Sequence, residues 1–301
     1  MSPAKRTTEA ARASGVGSSR LRGPRATGLA MLALCLALGA FDLAPLALLR
    51  NALFDGYQRL MPRERQFTGA IVVAIDEAAL QQRGQWPWPR TLVAELLDAI
   101  ARAGPLSVGV DILFSEPERP PGDGDAVLAR AVGSNRVVLG VAGLFERDRR
   151  FPDPPLAVPL FVRGGRDLFL PRFDGHLQSR AEIDRAAAGH GMLNADAASP
   201  VIRSVPLLAR IGSVTVPALS IEMLRAAQRT QALRVEEGGG DRAWLRVGQV
   251  DVPLEPDGSF WIHFSPRYAD RLVSADDVLS GKAALRKTAI DQRMNPLGAR
   301  G

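Results

Sequence analysis

Apolar residues follow three different patterns along the chain, and each pattern predicts a different kind of element. Residues 27–49 are almost continuously apolar, and about 20 such residues are enough for a helix to cross a bilayer. Residues 70–75 and 107–110 are short apolar runs, which are typical of strands covered on both faces. Residues 90–103 place apolar side chains at helical spacing and end before Gly104, a common C-terminal cap.

The order strand, helix, strand over residues 70–110 predicts a βαβ unit with two parallel strands. Further helices are predicted at 125–132 and 216–229, and further strands at 137–141, 204–211, 244–247, 250–254 and 259–264. Asp257-Gly258 predicts a hairpin turn between the last two strands, and the Pro-, Arg- and Phe-rich block 146–180 predicts an irregular surface segment. The predicted fold class is α/β, with a mixed, partly parallel sheet and flanking helices, preceded by one N-terminal transmembrane helix.

The basic charge of the chain lies mainly at its two ends. The net charge is +6, but residues 1–26 carry six basic groups and one acidic group, and residues 282–301 carry five and one. The middle of the chain is therefore slightly acidic, whereas a nucleic-acid reader carries a basic patch on its folded body. We expect no nucleic-acid partner, and we expect residues 1–26 to form a disordered tail.

Residues 27–49 allow two interpretations. The full length favours an uncleaved signal anchor, with Asp42 towards its outer end, where a charge costs less than at the centre. The first apolar block alone has the length of a signal peptide, and Ala37-Leu38-Gly39 offers small residues for cleavage. Both interpretations keep the basic N-terminus in the cytoplasm and place the main domain outside the cytoplasmic membrane. Cys35, the single cysteine, permits no intramolecular disulfide, and an apolar role facing lipid explains it better than a lipobox.

Acidic residues close the two predicted parallel strands. Asp76 and Asp111 stand at the strand ends, where open α/β sheets bind ligands. Together with Glu77 and Glu116 they would form an oxygen-rich cluster suited to Ca²⁺ or Mg²⁺. The alternative is that each carboxylate caps a helix or turn, or pairs with Arg90, so the metal question stays open.

The segment Trp86-Pro-Trp-Pro-Arg90 places two large aromatic residues before a helix. Trp86 and Trp88 could stack against a ligand while Arg90 binds an anion. A structural role is favoured, in which the tryptophans anchor the loop and Pro89 starts the helix.

His190 lies between two glycines, which indicate a tight backbone passage. It is a candidate pH-responsive or ligand-binding group, or else a hydrogen-bond partner of a nearby carboxylate. Arg203 could pair with Asp111 or Asp196. His176 and His263 show no metal-ligand spacing with His190.

Catalytic motifs are missing from the sequence. It contains no Gly-x-Ser-x-Gly elbow, no phosphate loop and no cysteine in the predicted globular part. The acidic cluster leaves a metal-assisted hydrolase as a minor alternative, and we expect no enzymatic activity and no cofactor.

The run AIDEAALQQRGQWPWPR, followed by GVDILFSEP, resembles the CHASE2 domain, the extracytoplasmic sensor module of bacterial receptors. FDGYQRLMP, GHGMLNADAASPVIRSVPLL, VPALSIEML and VSADDVLSGKAAL also resemble family blocks, in family order. The resemblance implies a sensor domain over residues 51–285 that binds a small molecule or ion, in receptors that often dimerise. Family members often continue into further membrane helices and a cyclase, GGDEF or kinase output module.

Residues 286–301 depart from that pattern because they are polar, and we expect them to be a truncated or out-of-frame end. The predicted function is thus ligand sensing for a membrane receptor without its output half. The alternative is a complete periplasmic binding or interaction protein, tethered by one helix. Neither the ligand nor the oligomeric state follows from the sequence.

Overall fold

The computed structural model describes residues 27–32, 44–62, 69–119, 122–146, 148, 150–151, 158–163, 168–195, 201–237, 243–265 and 271–283. The chain divides into two units, Met1–Arg63 and Glu64–Gly301. The first unit contains helix α1 at residues 27–32 and helix α2 at Ala44–Leu60. A search of the described helices finds none with the length and apolar character needed to cross a membrane.

The described part of the second unit is mixed α/β. Its helices are α3 (Glu77–Arg83), α4 (Arg90–Ala101), α5 (Gly124–Ser134), α6 (Ala181–Asp184), α7 (Leu219–Ala227) and α8 (Ala275–Leu279). Its strands up to α7 are β1 (Val72–Ala74), β2 (Val108–Val110), β3 (Val137–Leu144), β4 (Leu160–Val162), β5 (Arg172–Phe173), β6 (Gly175–Leu177), β7 (Gly189–Met192), β8 (Ser204–Pro206), β9 (Leu208–Ile211) and β10 (Val214–Pro217). The strands after α7 are β11 (Leu233–Glu237), β12 (Ala243–Val247), β13 (Val250–Leu254), β14 (Ser259–Trp261) and β15 (Leu272–Ser274).

The strands pair both parallel and antiparallel, which confirms a mixed, partly parallel α/β fold. Strand β3 pairs parallel with β2 and β7 and antiparallel with β6. Strands β10, β9 and β5 form a second ladder, and β13, β12, β11 and β4 a third, while β14 pairs with β8 and β1 with β15.

The predicted pairing of the first two strands is wrong. Strand β1 pairs parallel with β15, from Val72 opposite Leu272 to Ala74 opposite Ser274, and β2 pairs with β3. The adjacent parallel unit is therefore β2–α5–β3. A β15 partner about 200 residues away along the chain leaves no local trace in the sequence around β1.

The predicted turn at Asp257-Gly258 forms, but it does not join paired strands. Gly258 adopts a φ of 77° and donates its N–H to Glu255 O at 2.9 Å. Strand β14 then pairs antiparallel with β8, while β13 pairs along its whole length with β12. The strand at Leu233–Glu237 was not predicted, although buried and exposed side chains alternate along its first three residues.

The largest core cluster holds the helices against β2 and β3. Helix α4 buries Val93, Leu96 and Leu97 on one face, as its apolar spacing predicts. The same cluster contains Phe114 from the segment after β2 and Ile183 from α6. The loop after β2 and the start of α6 are thereby fixed next to the N-terminal end of α4.

Candidate functional site

Arg90, the first residue of α4, is the centre of a partly buried charge network. Its Nε lies 3.2 Å from Asp125 Oδ1, and its Nη2 donates to Glu116 O at 2.9 Å. The guanidinium also lies over the ring of Phe114, with Cζ 4.6 Å from the centroid. Arg90 therefore joins the loop after β2 to the first turn of α5. Its carboxylate partner is Asp125, which was not among the acids that the sequence suggested for it.

The N-terminus of α4 is capped by a residue that is distant in the sequence. Pro89 is the N-cap residue and makes no side-chain cap, so the first helical N–H groups need other acceptors. The backbone N–H of Arg90 donates to Glu118 Oε1 at 2.7 Å. A carboxylate there also interacts favourably with the helix dipole.

A pocket of about 530 Å³ opens between the loop after β2 and the start of α6, and we call it the Arg180 pocket. Its lining combines two arginines, one acid, one amide and an aromatic ring: Ser115, Glu116, Pro117, Arg150, Phe151, Gln178, Arg180 and Ala181. Both signs of charge are thus present on its walls.

Three ion pairs hold the charged residues of the Arg180 pocket. Arg150 Nη1 lies 2.5 Å from Glu116 Oε1, and Arg150 Nη2 lies 2.8 Å from Asp148 Oδ2. The hydrogen bond from Arg150 lowers the pKa of Asp148. On the opposite side, Arg180 Nε lies 3.1 Å from Asp125 Oδ2. Asp125 therefore pairs with both Arg90 and Arg180.

Some buried polar atoms beside this pocket have no hydrogen-bond partner within the described residues. They include Gln178 Oε1 and His176 Nε2, while Arg180 Nε reaches its carboxylate without hydrogen-bond geometry. Phe151 packs against His176, with ring centroids 6.1 Å apart. Burial lowers the pKa of His176, so its ring is held neutral more strongly than in water.

The two tryptophans before α4 have different surroundings. Trp88 is almost fully buried in the main core, and its Nε1–H donates to Gly84 O at 2.8 Å. Trp86 is 43% exposed and precedes Pro87 in a cis peptide bond. Trp88 therefore anchors the loop, as expected of a structural residue, and neither tryptophan lines the Arg180 pocket.

The expected acidic metal cluster is not assembled. Asp76 instead caps α3, accepting the Ala79 N–H at 3.0 Å and the Ser274 hydroxyl at 2.7 Å. Asp111 is exposed after β2, and Glu116 pairs with arginine. Across the part of the chain that the structure describes, no three His, Cys, Asp or Glu side chains are grouped to hold a metal. The capping alternative therefore fits Asp76, whereas Glu116 pairs with Arg150 and not with Arg90; β1 and β2 are not paired neighbours.

His190 is fully buried in β7, and its Nε2 lies 2.8 Å from Asp184 Oδ1 at the end of α6. The flanking glycines have a packing reason. A side chain on Gly189 would overlap the buried carboxylate of Glu222, and one on Gly191 would overlap the backbone of Leu219. Helix α7 thus lies directly on β7, and His190 is a buried partner of a carboxylate, not a pocket residue.

A family model described as the CHASE2 domain matches residues 29–296. The chain belongs to the CHASE2 family. CHASE2 is an extracytoplasmic sensory domain family, which supports a sensing role and a periplasmic location. No curated protein and no solved structure matches the chain.

The site of this CHASE2 domain overlaps only partly with the residues that the sequence suggested. Arg90 and Glu116 belong to one network, whereas Asp76, Trp86, Asp111 and His190 lie elsewhere. Arg203, at the entrance to β8, has its Nη1 3.4 Å from Val201 O. Of the two partners that the sequence suggested for it, Asp111 is exposed after β2, and Asp196 lies outside the described residues.

Sequence reasoning missed Arg150, Gln178 and Arg180. All three come from the irregular block at 146–180, where no periodicity indicates which side chains face inward. Two signals were present: the unusual density of arginine and phenylalanine in the block, and the i, i+2 spacing of His176 and Gln178, which places them on one face of an extended segment.

Proposed function

We propose that the chain is the signal-input domain of a membrane receptor and that it binds a small ligand in the Arg180 pocket. The observation that carries the proposal is the pocket itself, which combines guanidinium, carboxylate and unpaired amide groups beside the carboxyl end of a parallel strand. Ligands of open α/β sheets commonly bind at that end. Membership of a sensory family supports the same function.

Anchoring is the second part of the proposal. Residues 27–49 form a single N-terminal span, the basic residues of 1–26 remain in the cytoplasm, and the domain from residue 51 lies in the periplasm. Fusion of a periplasm-dependent reporter enzyme after residue 283 tests the orientation. Activity of the reporter together with recovery in the membrane fraction is expected. Release into the soluble periplasmic fraction would instead support a cleaved signal peptide.

Helix α6 offers a route from the pocket into the sheet. Its N-terminal side carries Arg180 and Ala181, which line the pocket, and its last residue Asp184 bonds His190 of β7. A ligand that draws Arg180 away from Asp125 would shift the start of α6. Through the contact of Asp184 with His190, it would also shift β7. For this to signal, the ligand must bind the two arrangements with different affinities.

Ligand binding is tested on the full chain in detergent. Its thermal melting is measured against a panel of metabolites and divalent cations, since a ligand of the folded state raises Tm by mass action. We expect a specific ligand to raise Tm in the wild type and not in Arg180→Gln. Arg246→Gln is the matched control, because Arg246 also makes exposed ion pairs, with Glu236 and Asp251, on β11–β13. Equal responses in both variants would contradict the site.

A further inference from the structure

The rim of the Arg180 pocket is closed by an ion pair that a ligand can replace. Arg150 and Glu116 are 34 residues apart in the chain, and both side chains are more than half exposed. An exposed ion pair contributes little to stability, because solvent screens both charges. Opening this pair to admit a ligand therefore costs little, and leaves one cationic and one anionic group facing the pocket.

We infer that the ligand is a small zwitterion of amino-acid type, with its carboxylate on Arg150 and its ammonium on Glu116; this inference rests on the proposed function of the pocket. Such a ligand replaces the rim ion pair with two new ones, so that no charge is left unpaired. A simple anion would leave Glu116 without its partner. A simple cation would take the place of Arg150 beside Glu116, and Arg150 would keep only its ion pair with Asp148.

The unpaired polar atoms beside the pocket fit the same ligand. Gln178 Oε1 is buried without a partner of good hydrogen-bond geometry, although the amide interacts with His176 and opposes the lowering of that ring's pKa. An ammonium supplies several N–H donors. On the other wall, Arg180 Nε is held near Asp125 without good hydrogen-bond geometry, so its guanidinium can turn towards a carboxylate. Since unsatisfied buried polar groups are costly, pairing both within one bound molecule favours binding.

Phe151 gives the pocket one apolar wall, next to the buried ring of His176. The carbon skeleton of an amino acid can lie against that ring, while its two charged groups reach the rim. Pro117 and Ala181 add further apolar surface, and the other lining side chains are polar or charged. The inferred ligand is thus small and doubly charged, with a modest apolar part.

The test compares each free L-amino acid with two derivatives that lack one charge. The full chain in detergent is titrated calorimetrically with the twenty amino acids, their N-acetyl derivatives and their amides. We expect at least one free amino acid to bind, and both of its derivatives to bind at least about tenfold more weakly, because each has lost a charge-assisted hydrogen bond. Arg150→Gln and Glu116→Gln should each weaken binding similarly, and Arg246→Gln should not.

Two results would overturn the inference. The first is binding of an N-acetyl derivative or an amide as tightly as the free amino acid. The second is binding of a dicarboxylate or a divalent cation, lost in Arg180→Gln, with no response to any amino acid. In that second case the pocket remains a sensing site and only the zwitterion is wrong. Since Arg150 and Glu116 are exposed, their variants are expected to fold, and unchanged melting of the ligand-free variants verifies this.

Discussion

Ser274 donates its hydroxyl to Asp76 Oδ1 at 2.7 Å, although the two residues are 198 positions apart. The same carboxylate oxygen accepts the Ala79 N–H and caps α3. Asp76 follows β1, and Ser274 ends β15, its parallel partner. One side chain thus completes a helix and joins the beginning of the domain to its end.

Replacing Asp76 with Ala should lower the free energy of unfolding by about 1 kcal/mol, because the helix loses its N-cap. Ser274→Ala should cost less, and the double variant should cost less than the sum of the two single changes, since they share one hydrogen bond. Chemical denaturation of the four proteins measures this coupling. Strict additivity would show that the long-range bond contributes nothing.

The cap also predicts a pH dependence. The Ala79 N–H and then the Ser274 hydroxyl lower the pKa of Asp76 below its usual 3.8. A carboxyl whose folded pKa is depressed contributes stability that is present above 3.8 and is lost as pH falls through the folded value. The stability difference between the wild type and Asp76→Asn should therefore shrink below that pH. A constant difference in acid would contradict the prediction.

Arg90 should not tolerate replacement by lysine. Its guanidinium bonds Asp125 through Nε and the Glu116 carbonyl through Nη2, while lying over Phe114. An ammonium cannot make both hydrogen bonds in that geometry, and losing a hydrogen bond to a charged group costs about 1.5–3 kcal/mol, although Asp125 keeps its ion pair with Arg180. Denaturant melts of Arg90→Lys should show a loss of this order. The matched change Arg246→Lys, at an exposed pair, should leave the denaturation midpoint nearly unchanged.

Adding one methyl group to β7 should be costly. In Gly191→Ala the new Cβ meets the backbone of Leu219, which cannot move without displacing α7. We expect a loss of about 1–3 kcal/mol from overpacking. Gly133→Ala is the control, because its Cβ would meet only Ala186 at ordinary contact distance, and alanine is about 1 kcal/mol better than glycine within a helix. A Gly191→Ala variant as stable as the wild type would disprove the close helix–strand contact.

Local patterns predicted the elements well, and long-range pairing poorly. The apolar spacing of residues 90–103 gave helix α4 nearly to its ends, and Gly104 has the expected positive φ of 68°. The partner of β1 could not be found in the same way, because β15 has only three residues and lies at the other end of the domain. Such pairing depends on tertiary packing, and a short segment of sequence does not show which distant strand will be the partner.

The candidate site was predicted only where its residues lie next to regular elements. Arg90 begins a clear helix and Glu116 follows a clear strand, so both could be proposed from the sequence. Arg180 and Gln178 belong to a segment with two- and three-residue strands, whose register is fixed by β3 and β9. The tertiary structure brings their side chains to the pocket, and the residues next to them in the sequence do not indicate that position.

Glu222 provides a second pH-dependent prediction, with the opposite sign. Its carboxylate is fully buried against β7 and receives two hydrogen bonds from Arg225, at 2.6 and 2.7 Å. Burial nevertheless raises its pKa above 4.5, although Arg225 opposes the shift. The folded state then holds this proton more tightly than the unfolded chain does, so stability falls as pH rises from below 4.5 through the folded pKa.

Glutamine at position 222 does not titrate and Arg225 stays protonated across this range, so this site gives the stability of Glu222→Gln no pH dependence. Denaturant unfolding of the wild type and Glu222→Gln across the acidic to neutral range isolates the carboxyl. The advantage of the wild type over the variant should be largest below 4.5 and should decrease as pH rises. If it increases instead, the attraction of Arg225 outweighs the burial of Glu222, and the contact between α7 and β7 stabilises the domain through charge.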